Sequence, residues 1–509
     1  MVHVPSHYQQ AVYDWIEHGD GNAVVNAVAG SGKTTTLVQA ANLIAPGDLL
    51  FLAFNRAIVE ELRRRLPREA NVSTLNSLGH RALSAHLGRS LCPDQYKYRQ
   101  IITDMLDAGE LGYTGRRVQA SVTKAVLELV SFAQSTLSDL TDEALDAMAG
   151  HYAIDMDIEQ VPDKEKITPV ILYGLTRKVL REGEDQAEEG VISFDDQIWL
   201  PWKWKLRPPR ARFVFIDECQ DLSAAKLELA LSACSQDGRI LAVGDPRQAI
   251  YGFTGADSNA FDAIAARTNA TVLPLSVSYR CPVTVVLEAK MIVPDIEHAE
   301  YASCGVVDEI EQRQMIGMLD IGDLVLCRLT APLVRLCIDL IRRRIPARVA
   351  GRDIGKSLTT IAKDALGHRD WSEFGDCLRD YHDRKAEKLK QRKHPENQLQ
   401  SLADKVDGVR VCYEEFSVKS LQEFNDEIEV LFSDDKGLIS LSTIHRAKGL
   451  EAPHVFIICP EKLPLTWPGQ LDWQLTQEQN LRYVAVTRSQ DTLYYVRTPG
   501  AKVTPTPAA

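Results

Sequence analysis

The chain has 509 residues, of which 45% are hydrophobic and 25% charged, and a net charge of −12. This length exceeds what one hydrophobic core can organise and suits three or four ordinary domains, while the composition excludes disordered, fibrous and low-complexity classes. With 58 Lys and Arg against 70 Asp and Glu, a wholesale basic nucleic-acid binder is also excluded, so local clusters matter more than the sum.

Along the chain, the opening MVHVPSHYQQAVYDW has no basic, apolar, small-residue succession. Nowhere do the roughly 18 apolar residues of a membrane span run unbroken, which predicts a cytoplasmic protein without a membrane partner. NAVVNAVAGSGKTTTLVQAANLI reads as an apolar strand ending at Asn26, a small-residue loop, and a helix from Lys33. Further short apolar runs follow at LLFLAF (49–54), RFVFID (212–217), RILAVGD (239–245) and TVLPL (271–275). Between the first two of these lies a stretch of long amphipathic patterns such as SVTKAVLELVSFAQSTL, without strand-like segments. A second set comprises DLVLCR (323–328), a helix over 331–344, ARVAG, GLISLST (437–443), HVFIICP (454–460) and LYYV (493–496). It too is interrupted, by a charged helical stretch containing DYHDRKAEKLKQRKHPENQ.

Strands alternating with helices predict an α/β chain with parallel sheets. The expected division is a first sheet domain over 1–89 and 189–270 with a helical insertion over 90–188. A second sheet domain over 271–354 and 435–500 encloses a helical insertion over 355–434, and residues 501–509 form a flexible tail. No sequence repeat is visible, although two similar sheets would constitute a structural one. Ten cysteines occur singly, without a CxxC pair or a Cys/His cluster, which predicts free thiols and no zinc or iron–sulfur site.

Two segments carry chemistry. In AVAGSGKT, residues 27–34, Gly30 and Gly32 let backbone N–H groups turn inward, and the following helix aims its positive end at an anion. Lys33 would reach the β- and γ-phosphates of a nucleotide, and the Thr34 hydroxyl would sit on Mg²⁺. The strict pattern begins with Gly, where this chain has Ala27. The strand RFVFID then runs into DECQD, at the sheet edge where α/β folds bind ligands. Asp217 suits the Mg²⁺ shell, and Glu218 suits orienting and deprotonating an attacking water. A phosphate loop followed by such an acidic pair predicts an NTPase.

These motifs and their order, from Gln9 to Arg488, resemble the UvrD/Rep/PcrA superfamily 1 helicases, and in particular shorter UvrD-like members with AFN, SFDDQIWLP and GDPRQAIYGF patterns. The resemblance implies two RecA-like P-loop NTPase domains, each with a mainly helical insertion, and ATP bound between them. It extends the phosphate contacts over Ala29, Gly30, Ser31, Gly32, Lys33, Thr34 and Thr35. It also implies that Gln9, or its neighbour Gln10, reads adenine, that Tyr279 stacks on the base, and that Glu451 contacts the ribose. Gln248 resembles the γ-phosphate sensor, and Arg280 and Arg488 resemble two arginine fingers. For single-stranded DNA it implies Phe54, Asn55, Thr74, Asn76, Tyr251, Phe253, Thr443 and His445, flat rings for bases and donors for phosphates. Asn76 stands where relatives often carry His, and Thr254 where many carry Arg.

The implied activity is Mg-ATP hydrolysis coupled to 3'-to-5' movement on single-stranded DNA and to unwinding of tailed duplexes. Two rivals share these motifs: a translocase that strips proteins from DNA, and an ATPase subunit that recruits a nuclease or repair partner. RNA as the track is compatible with aromatic stacking. Three basic runs, over 203–212, 342–352 and 384–393, read either as nucleic-acid contacts or as solvated faces. Trp199, Trp202 and Trp204 read equally as a DNA path, as core and as a linker. The lone Glu288-Ala289-Lys290, on a helical pattern with no preceding strand Asp, reads as structural rather than as a nuclease site.

Overall fold

The computed structural model describes residues 4–112, 115–152, 154–156, 158, 167–250, 260–390, 395–432 and 438–497. The chain divides into two compact units, the first formed by residues 1–27 and 32–276, the second by residues 28–31 and 277–509.

The first unit opens with α1 (His7–His18), whose start is fixed by a capping box between Ser6 and Gln9. Then come β1 (Ala23–Ala27), α2 (Lys33–Ala41), β2 (Leu49–Ala53), α3 (Arg56–Arg65), β3 (Asn71–Thr74), α4 (Leu75–Leu87) and the two-residue β4 (Cys92–Pro93). After the helices α5 (Lys97–Asp107), α6 (Arg116–Thr136), α7 (Asp142–His151) and α8 (Pro169–Glu188) the chain returns through β5 (Val191–Ile192). It continues as α9 (Asp196–Lys203), β6 (Ala211–Ile216), α10 (Ala224–Ser232), β7 (Cys234–Gly244), α11 (Ala260–Thr268) and β8 (Thr271–Leu275).

Six of these strands make a parallel sheet in the order β3-β2-β6-β7-β1-β8. Helices cover both faces, which is why β2, LLFLA, is buried at every position. The period of two still sorts the side chains: Val25 and Phe51 pack with Val12, Leu37 and Leu62, whereas Val24 and Leu50 pack with Leu78, Leu229 and Ile264.

One boundary differs from the sequence reading. Residues 271–275 were expected in the second domain, but β8 pairs along all of β1, from Ala23↔Thr271 to Ala27↔Leu275. A five-residue apolar run carries no record of which sheet it joins. As an edge strand, β8 also tolerates Pro274, which has no N–H for the ladder. The polar strand β3 had no apolar signature and was not anticipated.

Helices α5 to α8 form a separate core around Ile102, Val126, Leu129, Tyr173 and Val179, into which Trp199 of α9 also packs. Trp204 hydrogen-bonds Glu184 at 2.7 Å beside the same core, while Trp202 is exposed. At the neck, β4 pairs with β5. Beside it Lys97 and Asp196, both fully buried, pair at 2.6 Å. Asp196 accepts from the Tyr98 hydroxyl at 2.5 Å, from the Gln134 amide at 2.9 Å and from the Ser193 N–H at 2.8 Å, while Lys97 also donates to the Gly183 carbonyl. Three segments from distant parts of the sequence therefore meet at one carboxylate, whose lone pairs are satisfied as burial requires.

The second unit contains β9 (Val277–Ser278), α12 (Val283–Lys290), β10 (Glu297–His298), β11 (Val306–Glu311), α13 (Gln312–Met318), β12 (Leu324–Cys327), α14 (Thr330–Arg342) and β13 (Ala347–Val349). Helices α15 (Arg352–Leu366), α16 (Phe374–Lys390), α17 (Glu396–Glu415) and α18 (Leu421–Leu431) precede β14 (Ile439–Thr443), β15 (Ala452–Ile458), α19 (Asp472–Val486) and β16 (Ser489–Arg497). Its parallel sheet has the order β11-β16-β15-β12-β14-β13. β11, VVDEIE, escapes a hydropathy reading because it is a mostly exposed edge strand.

Among the described residues, helices α15 to α18 share one core with the sheet. Leu358, Phe374, Cys412 and Phe424 belong to the same cluster as the strand residues Val325, Leu441 and Phe456. Asp404 of α17 clamps this layer to the sheet by accepting from the first amides of α14, Thr330 at 2.9 Å and Ala331 at 3.4 Å. The basic run over 342–352 supplies ion pairs on this surface, Arg342 with Glu415 and Arg343 with Asp339. Glu288 accepts from Arg482 at 3.1 Å and from the Tyr495 hydroxyl at 2.8 Å, the structural role expected of it.

The α/β architecture with two parallel, helix-covered sheets agrees with the fold expected of two RecA-like domains. The units also share a local device. Just past β6 lies Glu218 and just past β15 lies Cys459, both with left-handed backbone and each capping a single 3-10 turn. Among the described residues no helix is long and apolar enough to cross a membrane.

A Cβ at Gly79 of α4 would lie 1.7 Å from the Gln197 carbonyl oxygen of α9. Gly79→Ala is therefore expected to destabilise the first unit by about 1–3 kcal/mol in urea unfolding. Gly47→Ala, which meets nothing within 4 Å, should leave the midpoint unchanged.

Candidate functional site

The strand order of the first unit determines which loops are neighbours. β1, β7 and β6 are adjacent, so the loop before α2, the segment after β7 and the acidic turn after β6 emerge together at the C-terminal edge of the sheet. Ala27 is the last residue of β1, fully buried and paired with Leu275. An extended ladder position does not call for glycine, which explains why Ala serves where the strict pattern has Gly. Gly30 and Gly32 are left-handed, at φ 73° and 78°. Gly32 is the N-cap of α2 and provides no side-chain cap, so the first amides of that helix stay available to an anion. Ala29 and Ser31 are buried, and the Ser31 hydroxyl oxygen has no hydrogen-bond partner among the described residues. Thr34 and Thr35 lie half-buried on the first turn of α2, Thr35 accepting from Arg65 at 3.2 Å.

Lys33 Nζ lies 3.3 Å from Glu218 Oε1. Burial pulls the Lys33 ammonium down, but Glu218, Asp245 and Asp217 together outweigh it and hold the group charged beyond its ordinary range. Asp217 responds in the opposite sense: burial first, then the adjacent Glu218 charge, push its carboxyl up to about 7. Burial also raises Asp245. Glu218 is held in place by its left-handed backbone, and Gln220 donates to its Oε2 at 2.5 Å. Gln248 is buried and donates to Asp245 Oδ2 at 2.7 Å. Asp245 was not singled out from sequence. The available signal was a third acid ending the third parallel strand, RILAVGD.

The two glutamines of α1 separate. Gln9 is buried, its amide donating to Thr36 of α2 at 3.0 Å and accepting from the Ser6 N–H at 3.0 Å. Gln10 faces out and bonds Asp14 at 2.7 Å.

In the second unit, Arg280 pairs with Glu451 at 2.5 Å, and Glu451 also accepts from Gln490 at 2.9 Å. Arg488 is buried: its Nε donates to the Val484 carbonyl at 2.9 Å and its Nη1 to the Leu450 carbonyl at 3.0 Å. Its Nη2 has no partner among the described residues. Burial, reinforced by the nearby Arg280 charge, lowers Arg488 to about 10. A guanidinium this short of acceptors suits an anion. Tyr279 is half-buried, stacked on the exposed Tyr301 with ring centroids 6.4 Å apart.

The expected single-strand contacts fall at the other end of the first sheet. β2 pairs with β3 up to Ala53↔Thr74, which brings Phe54 and Asn55 beside Thr74 and Asn76. The Phe54 ring is exposed. Asn55 and Thr74 cap α3 and α4, accepting from the amides of Ile58 and Ser77. Asn76 donates to the Phe194 carbonyl at 2.9 Å and to Gln197 at 3.1 Å, and Phe194 itself presents an exposed ring. In the second unit Thr443 ends β14 next to Cys327, and His445 follows half-buried, its imidazole lowered to about 3 by burial and then by Arg328. Arg328 and Glu478, unnoticed in the sequence, form a bidentate pair at 2.6–3.0 Å beside it. Tyr251, Phe253 and Thr254 lie outside the described residues.

Comparison with known proteins places these geometries in a family. Residues 9–268 match the UvrD/REP helicase N-terminal domain, and residues 438–496 match the UvrD-like helicase C-terminal domain. The chain is similar to F-box DNA helicase 1 of Gallus gallus, 26% identical over 255 residues that make up 49% of this chain and 24% of that protein. It is 22% identical over 307 residues to DNA helicase II of Haemophilus influenzae, covering 54% of this chain and 38% of the relative. With ATP-dependent DNA helicase PcrA of Bacillus subtilis the figures are 23% over 298 residues, 54% and 38%. The matches thus span between about a quarter and two fifths of these relatives' lengths. The N-terminal family domain alone accounts for residues 9–268, more than half of the sequence, and it contains the phosphate loop and acidic turn just described, so the chain belongs to the UvrD-like superfamily 1 helicases.

Proposed function

We propose that this chain is an ATP-driven DNA helicase that moves 3'-to-5' on single-stranded DNA and couples Mg-ATP hydrolysis to duplex unwinding. The observation that carries the reading is the Lys33–Glu218 pair beside the uncapped start of α2, with Asp217 and Asp245 buried next to it. Three carboxyl groups around one ammonium suit a divalent cation, and that cation together with Lys33 would offset the charge of a polyphosphate. Thr34 and Asp217 are the residues suited to hold Mg²⁺, which when bound neutralises charge on the phosphate oxygens. Lys33 leaves Glu218 for the phosphates, and Glu218, freed from that pair, orients a water and accepts its proton. Gln248 senses the γ-phosphate. Arg280 and Arg488 stabilise the charge that builds on the transferred phosphoryl group, and the vacant Arg488 Nη2 supports that role. Gln9 and Tyr279 serve the base, and Glu451 the ribose. The single strand is engaged by Phe54, Asn55, Thr74 and Asn76 in one unit and by Thr443 and His445 in the other, with Tyr251 and Phe253 completing the set.

The deciding experiment measures ATPase rate without polymer and with single-stranded DNA, duplex DNA or RNA, alongside opening of fluorescent duplexes carrying a 3' or a 5' tail. Single-stranded DNA should stimulate hydrolysis and the 3'-tailed duplex should open; selective opening of 5' tails would reverse the polarity. Lys33→Ala is expected to lower turnover by roughly a hundredfold or more. For Arg488→Ala the expected loss is about a thousandfold, with nucleotide binding far less affected.

Asp217 adds a pH test. The folded protein keeps its carboxyl protonated up to about 7, whereas the unfolded chain releases that proton near the ordinary 3.8. The stabilising contribution is therefore complete below about pH 4, declines to about pH 7 and is level above, at up to about 1.4 kcal/mol per pH unit. In thermal unfolding without nucleotide, the difference between wild type and Asp217→Asn should show this slope; parallel curves would contradict it.

A further inference from the structure

At the C-terminal edge of the second sheet, β12 leads through α14 toward β13, while its neighbour β15 leads through α19 to β16 on the other side. Connections that part in this way leave a crevice between two strand ends, where open α/β sheets receive ligands. A cavity of about 390 Å³ occurs there, walled by Leu329 and Asp404 and by Ile458, Cys459 and Val496. Cavities of roughly 300–1,000 Å³ admit small molecules.

Two thiols meet beside it. Cys327 ends β12 and is wholly buried, whereas Cys459, the residue after β15, is half-buried and lines the cavity. β12 and β15 run parallel with Leu326 opposite Ile457. One step further, Ile458 stands opposite Cys327 and Cys459 lies diagonal to it. With strands about 4.8 Å apart and a rise of about 3.3 Å per residue, the two cysteine α-carbons are about 6 Å apart. A disulfide spans roughly 4.4–6.8 Å between α-carbons. The thiols hydrogen-bond each other, and the Cys327 sulfur also accepts from the Leu329 N–H at 3.5 Å. The contact with Cys459, and after it burial, keeps the Cys327 thiol protonated well above the ordinary thiol range.

We propose that Cys459 and Cys327 form an exchange pair that reacts with small disulfides of the glutathione class and closes a reversible intramolecular disulfide across the ends of β12 and β15. Cys459 reacts first, because it lines the cavity and Cys327 does not reach solvent. Its sulfur attacks one sulfur of the small disulfide, forming a mixed disulfide and releasing one small thiol, which carries off the Cys459 proton. Cys327 then attacks the Cys459 sulfur, and the second small thiol leaves with the Cys327 proton. Capping Cys459 removes the leading cause that keeps Cys327 protonated, so the first step favours the second. In sum two protein thiols are oxidised and one small disulfide is reduced to two thiols. Closure draws the Cys327 sulfur from the Leu329 amide, directly before the α14 amides held by Asp404, so the oxidation state is registered at the head of that helix. The pair lies in the second unit alone and does not depend on the nucleotide or single-strand readings.

The test incubates the folded full chain with glutathione disulfide at mildly alkaline pH, quenches with acid and maps every cysteine by mass spectrometry. In the wild type a peptide pair linked through Cys327 and Cys459 should appear, both thiols should be lost together, and dithiothreitol should restore them. Cys327→Ser should stop at a stable glutathionyl group on Cys459, and Cys459→Ser should leave Cys327 unmodified. Cys92 and Cys304, both exposed, should take up glutathione and so report that the reagent reached the protein. The wild-type map decides by itself, even where a variant fails to fold. Modification of Cys92 and Cys304 with Cys327 and Cys459 both left free would overturn the inference. So would a mixed disulfide on wild-type Cys459 that persists as it does in Cys327→Ser.

Discussion

Three carboxylates share one lysine. Asp217, Glu218 and Asp245 lie at the ends of two adjacent parallel strands, with Lys33 at the start of the helix after a third. Coulomb attraction keeps Lys33 charged in spite of burial, and the same burial keeps Asp217 close to neutral. Such a cluster is costly unless something offsets its charge, and that deficit makes the edge of this sheet a site rather than a solvated turn.

Parallel topology also separates two chemistries along one edge. In the order β3-β2-β6-β7-β1-β8, the elements proposed for the phosphates follow β6, β7 and β1, and the residues proposed for the single strand follow β3 and β2. Strand β6 joins the two groups. Its acidic turn is displaced by only one strand from Phe54, so a change in how Glu218 is paired has a short path to the strand-binding end. Lys97 and Asp196 work at a different level: by uniting the neck of the helical insertion with α9, they hold α6 over a cavity beside Phe54.

The two insertions are built differently although both read as amphipathic helix in sequence. The first encloses its own apolar core, whereas the second merges with the sheet it interrupts and is anchored by Asp404 at the head of α14. Hydrophobic periodicity states that a helix has an apolar face but not what that face meets, so this distinction could not be read in advance.

Local chemistry was legible from the residues alone. Gly30, Gly32 and Lys33 mark a loop that turns its amides inward, apolar runs mark buried parallel strands, and Asp217 with Glu218 at a strand end marks a charged edge. These depend on backbone conformation and on neighbours within a few positions. Tertiary structure alone decided that β8 completes the first sheet, that β3 and β11 exist as polar edge strands, that Gln9 rather than Gln10 turns inward, and that Arg488 retains a guanidinium nitrogen without an acceptor. Each of these is set by partners tens to hundreds of residues away. Burial, and the charge balance that follows from it, belongs to the packed chain, and no window of the sequence contains it.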